Sequence, residues 1–315
     1  MRIKKTVIGS FPRSSRPLAV ALKEVVDLQL HYGVDLITDG EQRSNMIQYF
    51  NQIPGTEVAG SSLRIAGKIK PLKAELLDEF YKIKDYRTIQ SILKSRGKEN
   101  TKTKITITGP ITLGTIVAST DINSTAEHYN LDDEETLFSD FSDALLPIVE
   151  KALSLGAYVQ IDEPQLSTGQ VTLKTAKKIL KNFTSRLPAN AIKEEKVSCH
   201  VCGSIKSVAG LYDVLLGLDI PILSFGFSGD TERENFDVVS KASLQSHGKK
   251  LGAGFISNVT VEEDRAVLER LNRIVGLVGV ENIRYLHPDC GFGLTRLEKV
   301  KLILKKMQKI GDAVN

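Results

Sequence analysis

The fold class this sequence predicts is α/β, a single-domain (β/α)8 barrel. Three observations carry the prediction. Eight short, β-rich apolar runs alternate with stretches of helical periodicity. The chain has 315 residues, somewhat above the ~250 usual for this fold, and the surplus falls mainly in 45–103. The chemically active residues of the runs gather at their C-terminal ends, which is where such barrels hold their sites.

In order, the first run is KKTVIGS (4–10), ending on Ser10. VDLITDG (34–40) leads into DGEQRSNMIQYF with Asp39, Glu41 and Arg43. The stretch 45–103 reads as an insertion on the barrel, with a hairpin in SSLRIAGKIKP and one or two helices in AELLDEFYKIKDYRTIQSILKSRG. KITITGP (104–110) follows. AYVQIDEP (157–164) ends on Asp162 and Glu163, and KVSCHVCG (196–203) carries His200 and Cys202. PILSFGF (221–227) and KLGAGFIS (250–257) are the plainest runs. IRYLHPDCG (283–291) closes the set with Asp289 and Cys290. Between runs, TVEEDRAVLERLNRIVGLVG sets Val261, Val267, Leu268, Leu271, Ile274 and Val275 near helical spacing. It opens with Thr260 and Glu263, a capping-box pair.

Composition excludes several classes. The chain is 41% hydrophobic and 25% charged, ordinary for a soluble globular protein. A net charge of +4, with both signs mixed along the chain, is not the concentrated basic face of a nucleic-acid binder. No apolar run reaches the ~18 residues of a membrane span. The start MRIKKTVIGSFPR lacks the apolar core and cleavage site of a signal peptide. Three cysteines make no disulfide framework and fit a reducing cytoplasm. No Walker loop or dinucleotide glycine pattern is present.

The site candidates follow from strand geometry. Residues i and i+2 of a strand share a side, so His200 and Cys202 face the barrel mouth while Cys199 points to the helices. One imidazole and two thiolates, with Cys290 at another strand end, suit zinc with an open fourth position. A Cys199/Cys202 redox pair is disfavoured by the same alternation, since that motif usually opens a helix. The plain alternative is a strand whose buried cysteines are small apolar residues; Cys290 in a Pro-Asp-Cys-Gly turn favours metal over it. Asp162 reads as an acid/base or an ammonium-binding group, or as a cap for the next helix. Glu163 points away from Asp162 and reads as structural. IGSFPR (8–13) offers backbone N–H groups and the Ser10 hydroxyl to a carboxylate, or is a plain turn. Asp39 and Glu41 also suit a helix start. His31, His128 and His247 lie in helical or loop contexts, and His287 is near the site as a packing or hydrogen-bonding residue.

Together TVIGSFPR, ITDGEQRSNMIQYF, TITGPITLG, VQIDEPQLS, SCHVCG and LHPDCGFGLTR resemble the C-terminal catalytic barrel of cobalamin-independent methionine synthase, in the family's order and over nearly the whole chain. The chain, 1–315, looks like the short single-barrel form associated with archaea and some anaerobic bacteria. The resemblance implies that His200, Cys202 and Cys290 are zinc ligands. It implies that Ile8, Gly9 and Ser10 hold the homocysteine carboxylate, and that Glu41 and Asp162 hold its amino group, with Asp162 also the catalytic acid/base candidate.

Four positions depart from the family pattern. Gly226 stands where a glutamate zinc ligand is expected, leaving Asp230, Glu232 or a water to fill the place. GAGFISNVT lacks the histidine proton donor of the longer enzymes. The chain has no tryptophan for a folate pocket, and Thr168 replaces an acid. These departures imply a methyl donor other than methyl-folate polyglutamate: a methyl-corrinoid, free or on a corrinoid protein, or another pterin. Two further readings compete. One is a methylcobalamin:thiol methyltransferase of the uroporphyrinogen-decarboxylase-like barrels, acting on a thiol such as coenzyme M. The other is a non-catalytic relative that binds homocysteine or a corrinoid protein.

Overall fold

The computed structural model describes residues 3–313. Its strands are β1 (Lys4–Lys5), β2 (Leu36–Ile37), β3 (Thr56–Ala59), β4 (Ser62–Ile65), β5 (Lys102–Thr108), β6 (Tyr158–Asp162), β7 (Val197–His200), β8 (Ile222–Gly226), β9 (Lys250–Ile256) and β10 (Ile283–Pro288). All but β3 and β4 form one eight-stranded parallel sheet in the order β1-β10-β9-β8-β7-β6-β5-β2. The two edges meet through a parallel bridge between Thr6 and Leu36. Asp35 N–H also donates to the Lys5 carbonyl at 2.9 Å, which draws the sheet into a barrel. Seven of the eight runs read from the sequence contain one of these strands whole, and KITITGP (104–110) overlaps β5, which begins two residues earlier at Lys102.

The helices form where apolar spacing and caps coincide. In Leu173–Ser185, Ala176, Ile179, Leu180 and Phe183 are buried along one face, and the Thr172 hydroxyl accepts from Thr175 N–H at the first turn. Asp264–Val278 buries Val267, Leu271, Ile274 and Val278 in the same way. Its start differs from the expectation. No capping box joins Thr260 to Glu263, because Thr260 lies in the loop before the helix. The Ser257 hydroxyl accepts from the N–H groups of Val259 and Thr260, and Glu262 pairs with Arg270. No helix among the described residues is long and apolar enough to cross a membrane.

The insertion has two parts. β3 and β4 pair antiparallel around Gly60, so the hairpin begins upstream of the stretch expected for it. The helix Tyr81–Ser95 then leads into β5 and lies beside Leu18–His31, where Arg96 pairs with Asp27. This helix is the barrel's own second helix, and the excursion proper is the hairpin and the loops around it.

The barrel interior changes character along its axis. At the N-terminal ends of the strands Leu36, Tyr158, Ile222 and Tyr285 form a small buried apolar cluster of their own. Above it the interior is polar: Lys104, Thr106, Gln160, Ser198, Ser224 and His287 are all buried. Burying that many polar groups is costly unless each is hydrogen-bonded. The partnering they require is what builds the mouth of the barrel.

Candidate active site

Parallel register sets the first row of the site. Asp162 at the end of β6 lies opposite His200 at the end of β7, and His200 opposite Ser224 of β8. Cys202 follows β7 by two residues, and Cys290 comes from the turn after β10. His200 Nε2 lies 3.0 Å from Cys202 Sγ, which lies 2.9 Å from Cys290 Sγ. The ligand atoms of these three residues all fall within 4.8 Å of one another, a group able to hold a metal ion. Cys199 is buried in the apolar core between strands and helices, as strand alternation requires.

A hydrogen-bond relay sets the His200 tautomer. The Pro288 carbonyl can only accept, so His287 Nδ1 donates to it at 2.7 Å. Burial pushes the His287 imidazole down to about 3, so the ring is neutral and its Nε2 is an acceptor. The Ser224 hydroxyl therefore donates to His287 Nε2 at 2.9 Å and accepts from His200 Nδ1–H at 3.0 Å. In a neutral His200 this makes Nε2 the unprotonated nitrogen, an acceptor facing Cys202 Sγ. Hydrogen bonding to Cys290 and burial push the Cys202 thiol well up, while the bond from Cys202 holds Cys290 well down. His287, noted in the sequence only as a neighbour, is thus the anchor of the relay.

The opposite wall is acidic. Asp162 Oδ1 accepts from the Gln160 side-chain amide at 2.6 Å, and burial pushes its carboxyl up to about 6. Gln160 also donates to the Ile8 carbonyl at 2.8 Å and accepts from Lys104, whose Nζ donates to the Val7 carbonyl. Burial pushes the Lys104 ammonium down to about 7. Glu41 has a positive φ of 53°, uncommon for a residue with a side chain, and burial pushes its carboxyl up to about 7. Its Oε1 lies 3.4 Å from the Thr106 hydroxyl and 3.7 Å from Lys82 Nζ. Lys82 is itself buried. It donates to Asp39 at 3.2 Å and to Thr106 at 3.0 Å, with its ammonium over the Tyr49 ring.

The turn after β1 joins the two walls. A Cβ on Gly9 would meet Thr106 Cγ2 at 3.1 Å, so a bare backbone is what lets Thr106 pack close, and it would lie at ordinary contact distance, 3.7 Å, from Glu41 Oε1. The Ser10 carbonyl accepts from Phe292 N–H at 2.7 Å, and its hydroxyl accepts from Gly293 N–H, next to Cys290. Ile8, Gly9, Ser10, Glu41 and Asp162 therefore lie around one mouth with the His/Cys/Cys group. Glu163 does not join them. Both its oxygens accept from the N-terminus of the helix Pro110–Thr120, through Ile111 N–H, Thr112 N–H and the Thr112 hydroxyl. Asp39 is likewise engaged by Lys82 and by Glu41 N–H. Lys82, Lys104 and Ser224 lie outside the motifs named above, and Thr106 and Gln160 lie within TITGPITLG and VQIDEPQLS without being singled out.

Against known proteins, the family described as "Cobalamin-independent synthase, Catalytic domain" matches residues 3–313. The chain belongs to that family. Its members named as relatives include the methionine synthase of Methanothermobacter marburgensis, 30% identical over 308 residues, covering 96% of this chain and 91% of the relative. The methionine synthase of Methanothermobacter thermautotrophicus is 28% identical, covering 90% and 84%. Among solved structures, a B12-independent methionine synthase from Shewanella sp. W3-18-1 in complex with selenomethionine superposes with a TM-score of 0.73 at 16% identity, covering 100% of this chain and 98% of that one. That likeness carries the barrel fold. The family is one of methyltransferases, and the synthase barrel is the frame on which the site above is built.

Proposed function

We propose that the protein is a zinc-dependent S-methyltransferase that methylates the thiol of homocysteine to give methionine. The observation that carries this reading is the meeting, at one barrel mouth, of His200 Nε2, Cys202 and Cys290 with the acids Glu41 and Asp162. One imidazole and two thiolates suit zinc, and three protein ligands leave a place for a substrate sulfur. Zinc, when bound, lowers the pKa of a coordinated thiol so that it is a thiolate at neutral pH.

The chain's own residues do the rest. The Ser224–His287 relay holds the His200 ring in the tautomer that offers Nε2. Glu41 and Asp162 bind the ammonium of the amino acid, and the N–H groups and hydroxyl of the Ile8–Ser10 turn bind its carboxylate. Fixing both charged ends of a short amino acid holds its sulfur at the metal, the positioning that speeds a bimolecular transfer. The coenzyme M alternative has no use for two buried acids, since that thiol carries no ammonium. The methyl donor under this reading is a methyl-corrinoid, free or protein-carried, or a pterin other than methyl-folate polyglutamate. The absence of tryptophan and the exposed Thr168, which bonds only within its own turn, support it.

The test is methyl transfer to homocysteine and to coenzyme M, each from methylcobalamin and from methyl-tetrahydrofolate. Methionine formed from the corrinoid is the expected result. Robust turnover with the folate and none with the corrinoid rejects the donor assignment, and transfer to coenzyme M alone rejects homocysteine.

A further inference from the structure

The loop after β8 carries a carboxylate that the reading above does not use. Gly226 ends that strand, where the family pattern would place an acidic ligand. A Cβ on Gly226 would lie 2.9 Å from Glu232 Cγ, and a Cβ on Gly229 would lie 2.1 Å from Glu232 Oε2. Two residues without side chains thus leave a trough: beside Gly226 the Glu232 side chain shares it with Asp289, whose Cγ would also lie 2.9 Å from that Cβ, and beside Gly229 Glu232 fills it alone. We propose that Glu232 is the fourth protein ligand of the metal held by His200, Cys202 and Cys290, reaching from the loop into the place where Gly226 has no side chain. The inference rests on the metal reading above.

The loop is anchored to both sulfur ligands. Asp289, the residue before Cys290, accepts from the N–H groups of Phe227 at 2.9 Å, Ser228 at 3.0 Å and Gly229 at 2.9 Å, and from the Ser228 hydroxyl. Asn235 donates to the Gly226 carbonyl at 2.9 Å and to the Gly203 carbonyl at 3.1 Å, and accepts from Ile205 N–H at 2.8 Å. Those bonds tie the short helix that Glu232 opens to the segment next to Cys202.

Its neighbours are committed elsewhere. Asp230 is 92% exposed and paired with Arg233, and Glu234 accepts from Ser204. Glu232 is half-buried and makes no ion pair among the described residues, and its carboxylate accepts only from the Thr231 hydroxyl at 2.9 Å. Turning that carboxylate toward the sulfurs gives up one hydrogen bond, from the adjacent Thr231 hydroxyl. A glutamate fixed in the strand would be a rigid ligand, whereas one on a loop can leave and return as substrate sulfur arrives.

The test measures zinc affinity by chelator competition on the full chain and on the Glu232→Gln and Asp230→Asn variants, with folding checked by circular dichroism. Cobalt(II)-substituted samples supply a second readout, the visible ligand-field spectrum. The expected result is at least tenfold weaker zinc binding and an altered cobalt spectrum in Glu232→Gln, with Asp230→Asn unchanged in both. Wild-type affinity and spectrum in Glu232→Gln overturn the proposal, as does an equal loss in Asp230→Asn. A wild-type chain that takes up no zinc overturns this proposal and the metal reading together.

Discussion

On the β7–β10 side of the mouth, His200, Cys202 and Cys290 are arranged by hydrogen bonds among neutral groups: Ser224, His287 and a backbone carbonyl. On the β1–β6 side, Asp39, Glu41 and Asp162 are arranged by burying charge against Lys82 and Lys104. The first wall can exist before its ion arrives, because its groups partner one another: the Cys290 thiol, though held well down, is steadied by the hydrogen bond from Cys202. The second is strained toward neutrality, since burial drives both Glu41 and Asp162 upward, and it is relieved by a ligand that brings a positive group. The difference teaches which wall waits for a cation on the protein's side and which for one on the substrate. It also gives distinct ways to break each wall.

The largest effect is expected from His200→Ala. Removing one of the proposed protein ligands should leave under ~1% of methyl transfer and metal well below one equivalent, since even outer-shell changes cost 10–100-fold in affinity. Elemental analysis beside the wild type decides it; equal metal in both proteins sinks the site.

The second is Lys82→Met on the acidic wall. Lys82 and Asp39 are a buried pair, and removing one partner of such a pair costs about 3–5 kcal/mol. Urea unfolding should show a loss of that order, partly recovered by Asp39→Asn in the same chain. A loss below about 1 kcal/mol would mean that Lys82 is not the counter-charge of this wall.

The contrast between the walls also explains what could be read in advance. His200 and Cys202 are two apart in one strand, and Cys290 sits in a turn of unusual composition, so one local pattern and one distant cysteine disclosed that wall. The eight strands were legible for a similar reason, each being a compact β-rich run. Lys82 lies on the helix Tyr81–Ser95, in an amphipathic pattern where a lysine reads as surface. Only the helix's docking beside β5 turns that lysine inward to Asp39. Lys104 and Gln160 likewise alternate with apolar residues in their strands, and period two alone does not say whether the inner face of a barrel is dry or wet. Glu232 was named with Asp230 as a stand-in; separating them needed the loop's fold, which turns one outward to Arg233 and lays the other between two glycines.

The acidic wall makes a pH prediction of about 3 kcal/mol at most. Burial raises Glu41 from 4.5 to about 7. A carboxyl raised on folding binds more protons in the native state, so its contribution is fully present below about pH 4.5 and is lost as pH rises toward about 7. The ligand-free protein should lose stability over that window, and Glu41→Gln should flatten the loss. Homocysteine binding runs the opposite way, because the ammonium needs the carboxylate: its KM should fall as pH rises through about 7. A KM that is flat across pH 6–8 in the wild type would remove Glu41 from the ammonium site.

The smallest effect probes the relay, and it sharpens the comparison most. Ser224→Ala removes the hydroxyl that receives His200 Nδ1–H and donates to His287, without touching a ligand atom or a charge. His200 can then turn or change tautomer, and the His287 Nε2 acceptor is left buried without its donor. The expected result is zinc binding weakened about 10–100-fold, with KM for homocysteine at saturating zinc nearly unchanged, since the acidic wall is intact. If the neutral wall were held by its thiols alone, Ser224→Ala would bind zinc as the wild type does. If the two walls were one coupled network, KM would rise with the loss of metal. Chelator competition and saturation kinetics on the same preparation separate these outcomes. The relay account requires the affinity to move and the KM to stay.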